Sequence, residues 1–330
     1  MRAALLPAVR GKWEVKEVPT PVPGPNQVLI KIRASGLCYT DVHITEGTLP
    51  LPLQFPCILG HEPVGEIVAV GAGVTTRAIG DRVGVPWLQS SCGRCEWCQR
   101  GKAMFCANAT GTGIQLPGGH AEQMLAYAEA TALLPDSLSY DQAAPIFCAG
   151  YTVWSGLRLA EPQPHERIAV VGMGGLGHLA VQYAKAAGFE TIAVTRTKDK
   201  EQLVRDLGAD EVVPDGEALR AAGGADVILA TSNSMTSTGD TLKGLRPDGR
   251  LILMGLSSSD RLEVPADLLL TRGRIIGSQQ NGREYLYEAL DYAAKGKVKV
   301  IAETYPLKEI GRAYERVANG KVRFRAVITN

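Results

Sequence analysis

Hydrophobic positions change their period near the middle of the chain. Over the first 150 residues the pattern is mainly the two-residue alternation of strands. Residues 13–18 alternate, residues 19–25 form a proline-rich connection, and residues 27–34 alternate again with Val28, Ile30 and Ile32 on one face. Residues 64–70 and 81–85 read as further strands, so this part is glycine-rich and mostly β. From residue 139 to 159 the period is helical. After that, apolar runs at 167–171, 191–195, 211–213, 226–230, 250–255 and 274–280 alternate with helical segments. That alternation predicts a doubly wound parallel sheet with right-handed crossovers. Helices at 285–295 and 307–319 and a strand at 323–329 follow, and they are expected to return to the first domain because six strands complete the sheet. The expected division is therefore 1–148 with 281–330, and 149–280.

The junction after the first parallel strand carries chemistry. Gly172-Met173-Gly174-Gly175-Leu176-Gly177 follows the apolar run at once, and Leu176, Leu179, Ala180, Tyr183, Ala184 and Ala187 then recur at helical spacing. In this strand–turn–helix context Gly172 permits the tight turn, Gly174 lets the backbone approach a pyrophosphate, and Gly177 lets helix and strand pack closely. The helix N-terminus adds free N–H groups and positive dipole. A bare ribose is usually held by an Asp or Glu about 20 residues past the glycines. Here the second strand ends in Thr195-Arg196-Thr197-Lys198, and no carboxylate appears until Asp199. Hydroxyl and cationic groups suit a 2′-phosphate, so NADP(H) is expected over NAD(H).

Composition narrows the rest. A chain of 330 residues, 45% hydrophobic and 21% charged, has room for two domains with their own cores. A net charge of +1 gives no field for nucleic acid or an anionic membrane, and no apolar run reaches the roughly 18 residues of a membrane span. The first ten residues lack the apolar core of a secretory signal, so a cytoplasmic protein with a small-molecule partner is expected. In that setting the seven cysteines are not read as disulfides. Cys92, Cys95, Cys98 and Cys106 have the spacing of a closed four-thiolate zinc site, which is structural because no coordination position stays open. Two polar clusters remain: residues 36–43 (GLCYTDVH), where Thr40 or Asp41 could cap a short helix, and Gly60-His61-Glu62.

In series, Cys38-x-Thr40-Asp41-x-His43, Gly60-His61-Glu62, the cysteine quartet, Cys148-Ala149-Gly150 and the glycine turn resemble the zinc-dependent medium-chain alcohol dehydrogenases. The likeness runs nearly end to end, from Lys31 to Arg325. It implies a GroES-like, mostly-β catalytic domain beside a Rossmann cofactor domain. It also implies two zinc ions per chain. Cys38, His61 and Cys148 would bind the catalytic zinc and leave its fourth position open. Glu62 would be the acidic neighbour, and Asp41 the carboxylate that accepts the other imidazole N–H of His61. Thr40 and His43 match the proton relay, which runs from substrate oxygen through Thr40, the nicotinamide ribose and His43 to solvent. Tyr39 occupies a position often basic in the family, which leaves cofactor phosphate to the helix N-terminus and Arg325. Thr40, Leu49 and Trp87 would line the substrate pocket. Leu49 stands where close microbial relatives often carry Trp, and this favours a primary medium-chain or aromatic alcohol. Cys57 matches no family role and is expected in the core. A homo-oligomer is implied, a tetramer ahead of a dimer, with its seam near residues 274–280. A polyol or other secondary-alcohol dehydrogenase is the alternative enzyme; many polyol enzymes carry Glu at the third ligand, where this chain has Cys148. A non-catalytic zinc- and nucleotide-binding protein is the alternative from another class, against which the intact ligand set and relay count.

Overall fold

The strand Gln27–Leu37 organises the first half of the protein. It extends three residues beyond the alternating pattern, because Ser35, Gly36 and Leu37 pair with Pro63 on one side and with Ala326–Ile328 on the other. The computed structural model describes residues 1–49, 51–196, 201–255, 257 and 260–330. They divide into two compact units: Met1–Cys148 with Val300–Asn330, and Ala149–Lys299.

In the first unit the strand order is Ala302–Pro306, Arg325–Thr329, Gln27–Leu37, Pro63–Val70, Arg82–Gly84, Ala132–Leu133, and Gln123–Tyr127 also pairs with Gln27–Leu37. Val28, Ile30 and Ile32 share a core with Ile67, Val83, Val85 and Met124, as the alternation requires. Register shifts against Pro63–Val70 fall between Leu29 and Ile30 and between Ile32 and Ala34. Such irregularities bend a strand and let it serve different partners along its length. The helical pattern at 139–159 resolves into Tyr140–Ala143, the 3-10 turn Ala144–Phe147 and Ala149–Leu159. Cys148 lies at the break, with φ −121° and ψ −75°, rather than inside a helix.

The second unit is a six-stranded parallel sheet in the order Glu211–Val213, Glu190–Val194, Arg167–Val171, Ala225–Ala230, Leu245–Leu253, Arg274–Gly277. Its order reverses beside the first strand, which is where a doubly wound sheet places its ligand. The chain leaves this unit at Val300, and not at residue 281 as the completed strand count suggested. The physical reason is the helix Arg283–Ala294, whose Tyr292 packs on Trp154 (4.7 Å between ring centroids) and on Tyr183 (6.0 Å). Trp154 Nε1 donates to Glu288 (2.6 Å) and Tyr183 Oη to the Ala289 carbonyl (3.0 Å), which fixes the helix on this unit. No helix among the described residues is long and apolar enough to cross a membrane.

Candidate metal and nucleotide sites

Sheet register brings the polar clusters of the first unit together. The chain leaves Gln27–Leu37 directly into the helix Tyr39–Glu46 with Cys38 as N-cap. Sequence reasoning put Thr40 or Asp41 at the cap. Asp41 is instead the third helical residue, and it reaches back to accept the Cys38 N–H (2.8 Å). Opposite Ser35 lies Pro63, and the Gly36 N–H donates to the Glu62 carbonyl (3.2 Å), so His61 and Glu62 run alongside Cys38. A Cβ at Gly36 would overlap the Glu62 carboxylate. On the other flank Ala326 pairs with Leu37 and places Arg325 at the same point.

The ligand atoms of Cys38, His61, Glu62 and Cys148 all lie within 4.8 Å of one another. Cys38 Sγ is 3.9 Å from Cys148 Sγ, and His61 Nε2 is 3.3 Å from Cys148 Sγ. A tetrahedral zinc with bonds of about 2.3 Å to sulfur sets two sulfurs roughly 3.8 Å apart, so the arrangement fits that ion. The side chains of the set also shift one another's titration: the Cys148 thiol is pushed well up by its hydrogen bond with Cys38 and by burial. The Cys38 thiol is drawn well below its usual range by the Cys148 hydrogen bond and by His61, against the cost of burial. Burial opposes charge on His61, but the Cys38 thiolate outweighs it and raises the imidazole to about 9. Glu62 is lifted to about 7 by burial, with Arg325 pulling the other way. Arg325 Nη2 donates to Glu62 Oε1, and both side chains are buried. Sequence reasoning missed this pair, since nothing local links residues 62 and 325.

Of the remaining expected residues, Thr40 and Trp87 lie against members of this set. Thr40 lies beside the metal set, its Oγ1 3.7 Å from Cys38 Sγ. His43, one turn along the same helix, has Nδ1 2.8 Å from Thr48 Oγ1 and its ring edge-on to Tyr39 at 5.0 Å. Trp87 packs edge-on against His61, 5.2 Å between centroids. Leu49 is half-buried. Asp41 was expected behind His61; its charge helps to raise that imidazole, while its carboxylate oxygen is used on the Cys38 N–H. Cys57 is half-buried among Leu6, Ile44 and Leu59, and burial pushes its thiol up to about 11.

The second metal set is Cys92, Cys95, Cys98 and Cys106. Cys92 Sγ is 4.0 Å and Cys95 Sγ 3.5 Å from Cys98 Sγ, again the span of a tetrahedral thiolate site. Backbone N–H groups point at the sulfurs: Cys95 to Cys92 Sγ (3.3 Å), and Cys92 and Asn108 to Cys106 Sγ (3.5 and 3.4 Å). Those of Arg94 and Cys95 draw the Cys92 thiol down to about 6.

In the second unit the glycines occupy the conformations their spacing demands. Gly172 has φ 93° and lies against Ser232, a Cβ at Gly177 would overlap the Gly172 carbonyl, and a Cβ at Gly174 would meet nothing within 4 Å. Open space over Gly174 is where a pyrophosphate would approach. The helix Gly177–Ala186 begins at Leu176 with no side-chain cap, and Gly175 belongs to the same turn. Beyond Glu190–Val194, Thr195 is half-buried and Arg196 exposed, with Arg196 Nη2 3.4 Å from Ser237 Oγ. Thr197 and Lys198 lie outside the described residues.

Comparison with known proteins agrees along the whole chain. Residues 24–136 match the family model for the Alcohol dehydrogenase GroES-like domain, and residues 175–295 that for Zinc-binding dehydrogenase. An alcohol dehydrogenase of Geobacillus stearothermophilus is 40% identical over 335 residues, covering 99% of each chain. Acetophenone reductase from Geotrichum candidum, solved with NAD, superposes with a TM-score of 0.88 at 32% identity, over 100% of this chain and 97% of that one. The CAD of Helicobacter pylori, solved with NADP(H), does so with a TM-score of 0.90 at 27% identity, over 99% and 97%.

Proposed function

The chain belongs to the zinc-type medium-chain dehydrogenase/reductase family, and on that premise we propose that it interconverts a primary medium-chain or aromatic alcohol and its aldehyde with NADP(H). The observation that carries this reading is the Cys38, His61 and Cys148 set, with Thr40 beside it. Two thiolates and one imidazole would hold a zinc ion and would leave room for a substrate oxygen. When bound, zinc supplies the Lewis acidity that lets an alcohol lose its proton near neutral pH, and the nicotinamide takes up hydride. Thr40 Oγ1 would accept the alcohol proton as it gives up its own, and His43 would act as the terminal base that delivers a proton to solvent. Arg325 donates to Glu62 in a buried position beside the metal set, which offsets part of the cost of burying that carboxylate, and it adds positive charge for cofactor phosphate. The turn Gly172–Gly177 holds the pyrophosphate. Thr195, Arg196, Thr197 and Lys198 hold the 2′-phosphate. The cysteine quartet binds a second, structural zinc.

Trp87 and Leu49 set the substrate class: an aromatic wall with a narrower neighbour leaves space for a benzyl or medium-length chain. Each further buried methylene contributes at most about 1–3 kcal/mol to discrimination. Assembly is read as a tetramer, with a dimer the alternative, and in either case the seam is the edge strand Arg274–Gly277, which among the described residues pairs only with Leu245–Leu253. Initial rates over a panel of ethanol, longer aliphatic and benzylic alcohols, before and after chelation, test the proposal. Highest kcat/KM with benzylic or medium-chain alcohols, lost on chelation, supports it. Ethanol as the best substrate overturns the pocket reading. Chelator-resistant turnover overturns the zinc reading, and no turnover at all points to a non-catalytic binding protein.

A further inference from the structure

His120 is fully buried in the first unit, and among the described residues neither ring nitrogen has a hydrogen-bond partner. Buried imidazoles are ordinarily paired, because a donor left unpaired away from water is costly. The nearest acid is Asp41, whose Oδ2 is 3.8 Å from His120 Nε2 and which is itself fully buried. Asp41 is also under-used: Oδ2 takes the Cys38 N–H, while Oδ1 has no partner among the described residues. A buried carboxylate has about four acceptor sites, so one backbone donor does not satisfy it.

The backbone of His120 fixes where the ring stands. Its N–H donates to the Leu59 carbonyl (3.0 Å), and its own carbonyl accepts from Ala4 (2.8 Å). The ring lies against Gly60, where a Cβ would come 2.7 Å from Nδ1, and stands edge-on to Trp13 at 5.8 Å. His120 therefore abuts the segment that carries His61 on one side and faces the carboxylate that holds Cys38 on the other. We propose that His120 is a positioning residue for the metal set: its Nε2 edge faces Asp41 across 3.8 Å, an electrostatic contact longer than a hydrogen bond, and the carboxylate so oriented holds the Cys38 N-cap in its metal-binding geometry. The proposal rests on the zinc reading of Cys38, His61 and Cys148.

Zinc release from the full-length, zinc-loaded chain tests it. His120→Gln keeps an N–H donor, and His120→Phe keeps bulk without one; His120→Leu replaces the latter if it does not fold. Zinc remaining after timed exposure to excess chelator is measured together with the melting temperature. Removing a partner behind a metal ligand typically weakens binding by about 10–100-fold. The expected result is that His120→Phe releases one zinc on the order of 10-fold faster or more, retains the other, and melts near the wild type, while His120→Gln stays within about 3-fold of wild type. Wild-type retention in the apolar variant overturns the proposal, and so does equal loss in His120→Gln, which would mark a packing role. A wild-type chain with no zinc outside the cysteine quartet overturns the zinc reading and this proposal with it.

Discussion

Replacing Arg196 by Ile removes the one described cation at the end of the second parallel strand, and its effect on cofactor choice can be worked out. Arg196 is exposed, so its attraction to a 2′-phosphate acts through water and not through protein. At 4 Å in water, two unit charges attract by about 1 kcal/mol, and a phosphate monoester carries close to two charges. A screening length of about 8 Å at physiological salt leaves a little over 1 kcal/mol, or roughly a tenfold preference for NADP(H). At 1 M salt the length falls to about 3 Å, and the preference should shrink to about two- to threefold. Arg196→Ile should abolish most of it, and Thr195→Asp with Arg196→Ile should reverse it, because a carboxylate repels the phosphate and accepts from a free ribose diol. The assay is kcat/KM for both cofactors in the three proteins at two salt concentrations. Equal or better kcat/KM with NAD(H) in the unmodified protein refutes the reasoning, as does a preference unmoved by salt.

Gly36→Ala drives a methyl group into the Glu62 carboxylate; overpacking of this kind costs about 1–3 kcal/mol, to be read as a fall in melting temperature. A melting temperature unchanged by the substitution would contradict the packing described here. Glu303 titrates at about 2: burial would raise it, but Arg316 (3.0 and 2.9 Å), Tyr305 and the Arg323 N–H (2.9 Å) outweigh that cost. Its stabilising contribution is present above the ordinary carboxylate value of 4.5 and is lost as pH falls from there toward about 2. Glu303→Gln should lower stability at neutral pH and remove that part of the acid limb, seen by urea unfolding at a series of pH values; an unchanged limb would show that the pair contributes nothing.

Local patterns carried most of the fold and one of the two candidate metal sets. The glycine turn was legible because each glycine answers a separate local demand, and the Cys92–Cys106 set because thiolates close in sequence converge on one ion. Cys38, His61 and Cys148 are far apart in sequence, and only the resemblance to the zinc-dependent alcohol dehydrogenases grouped them as expected ligands. What stayed hidden depends on register. Ser35 and Gly36 interrupt the apolar alternation, so the strand seemed to end before the point where it meets both Pro63 and Ala326. The Glu62–Arg325 pair follows from that register, and the contact of His120 with Gly60 and Asp41 from a long-range packing that no periodicity reports. The return at Val300 was misplaced because a helix added to one unit after its sheet is complete looks, in sequence, like the start of the other.

Zinc stoichiometry, measured by elemental analysis on the purified chain and on two single variants, tests the central claim most directly. The account predicts two zinc ions in the unmodified protein. Cys38→Ser should keep one, remain folded and lose turnover. Cys95→Ser should lose thermal stability, because the short lobe between Cys92 and Cys106 depends on its ion for shape. One zinc or none in the unmodified protein, or full turnover in Cys38→Ser, would contradict it.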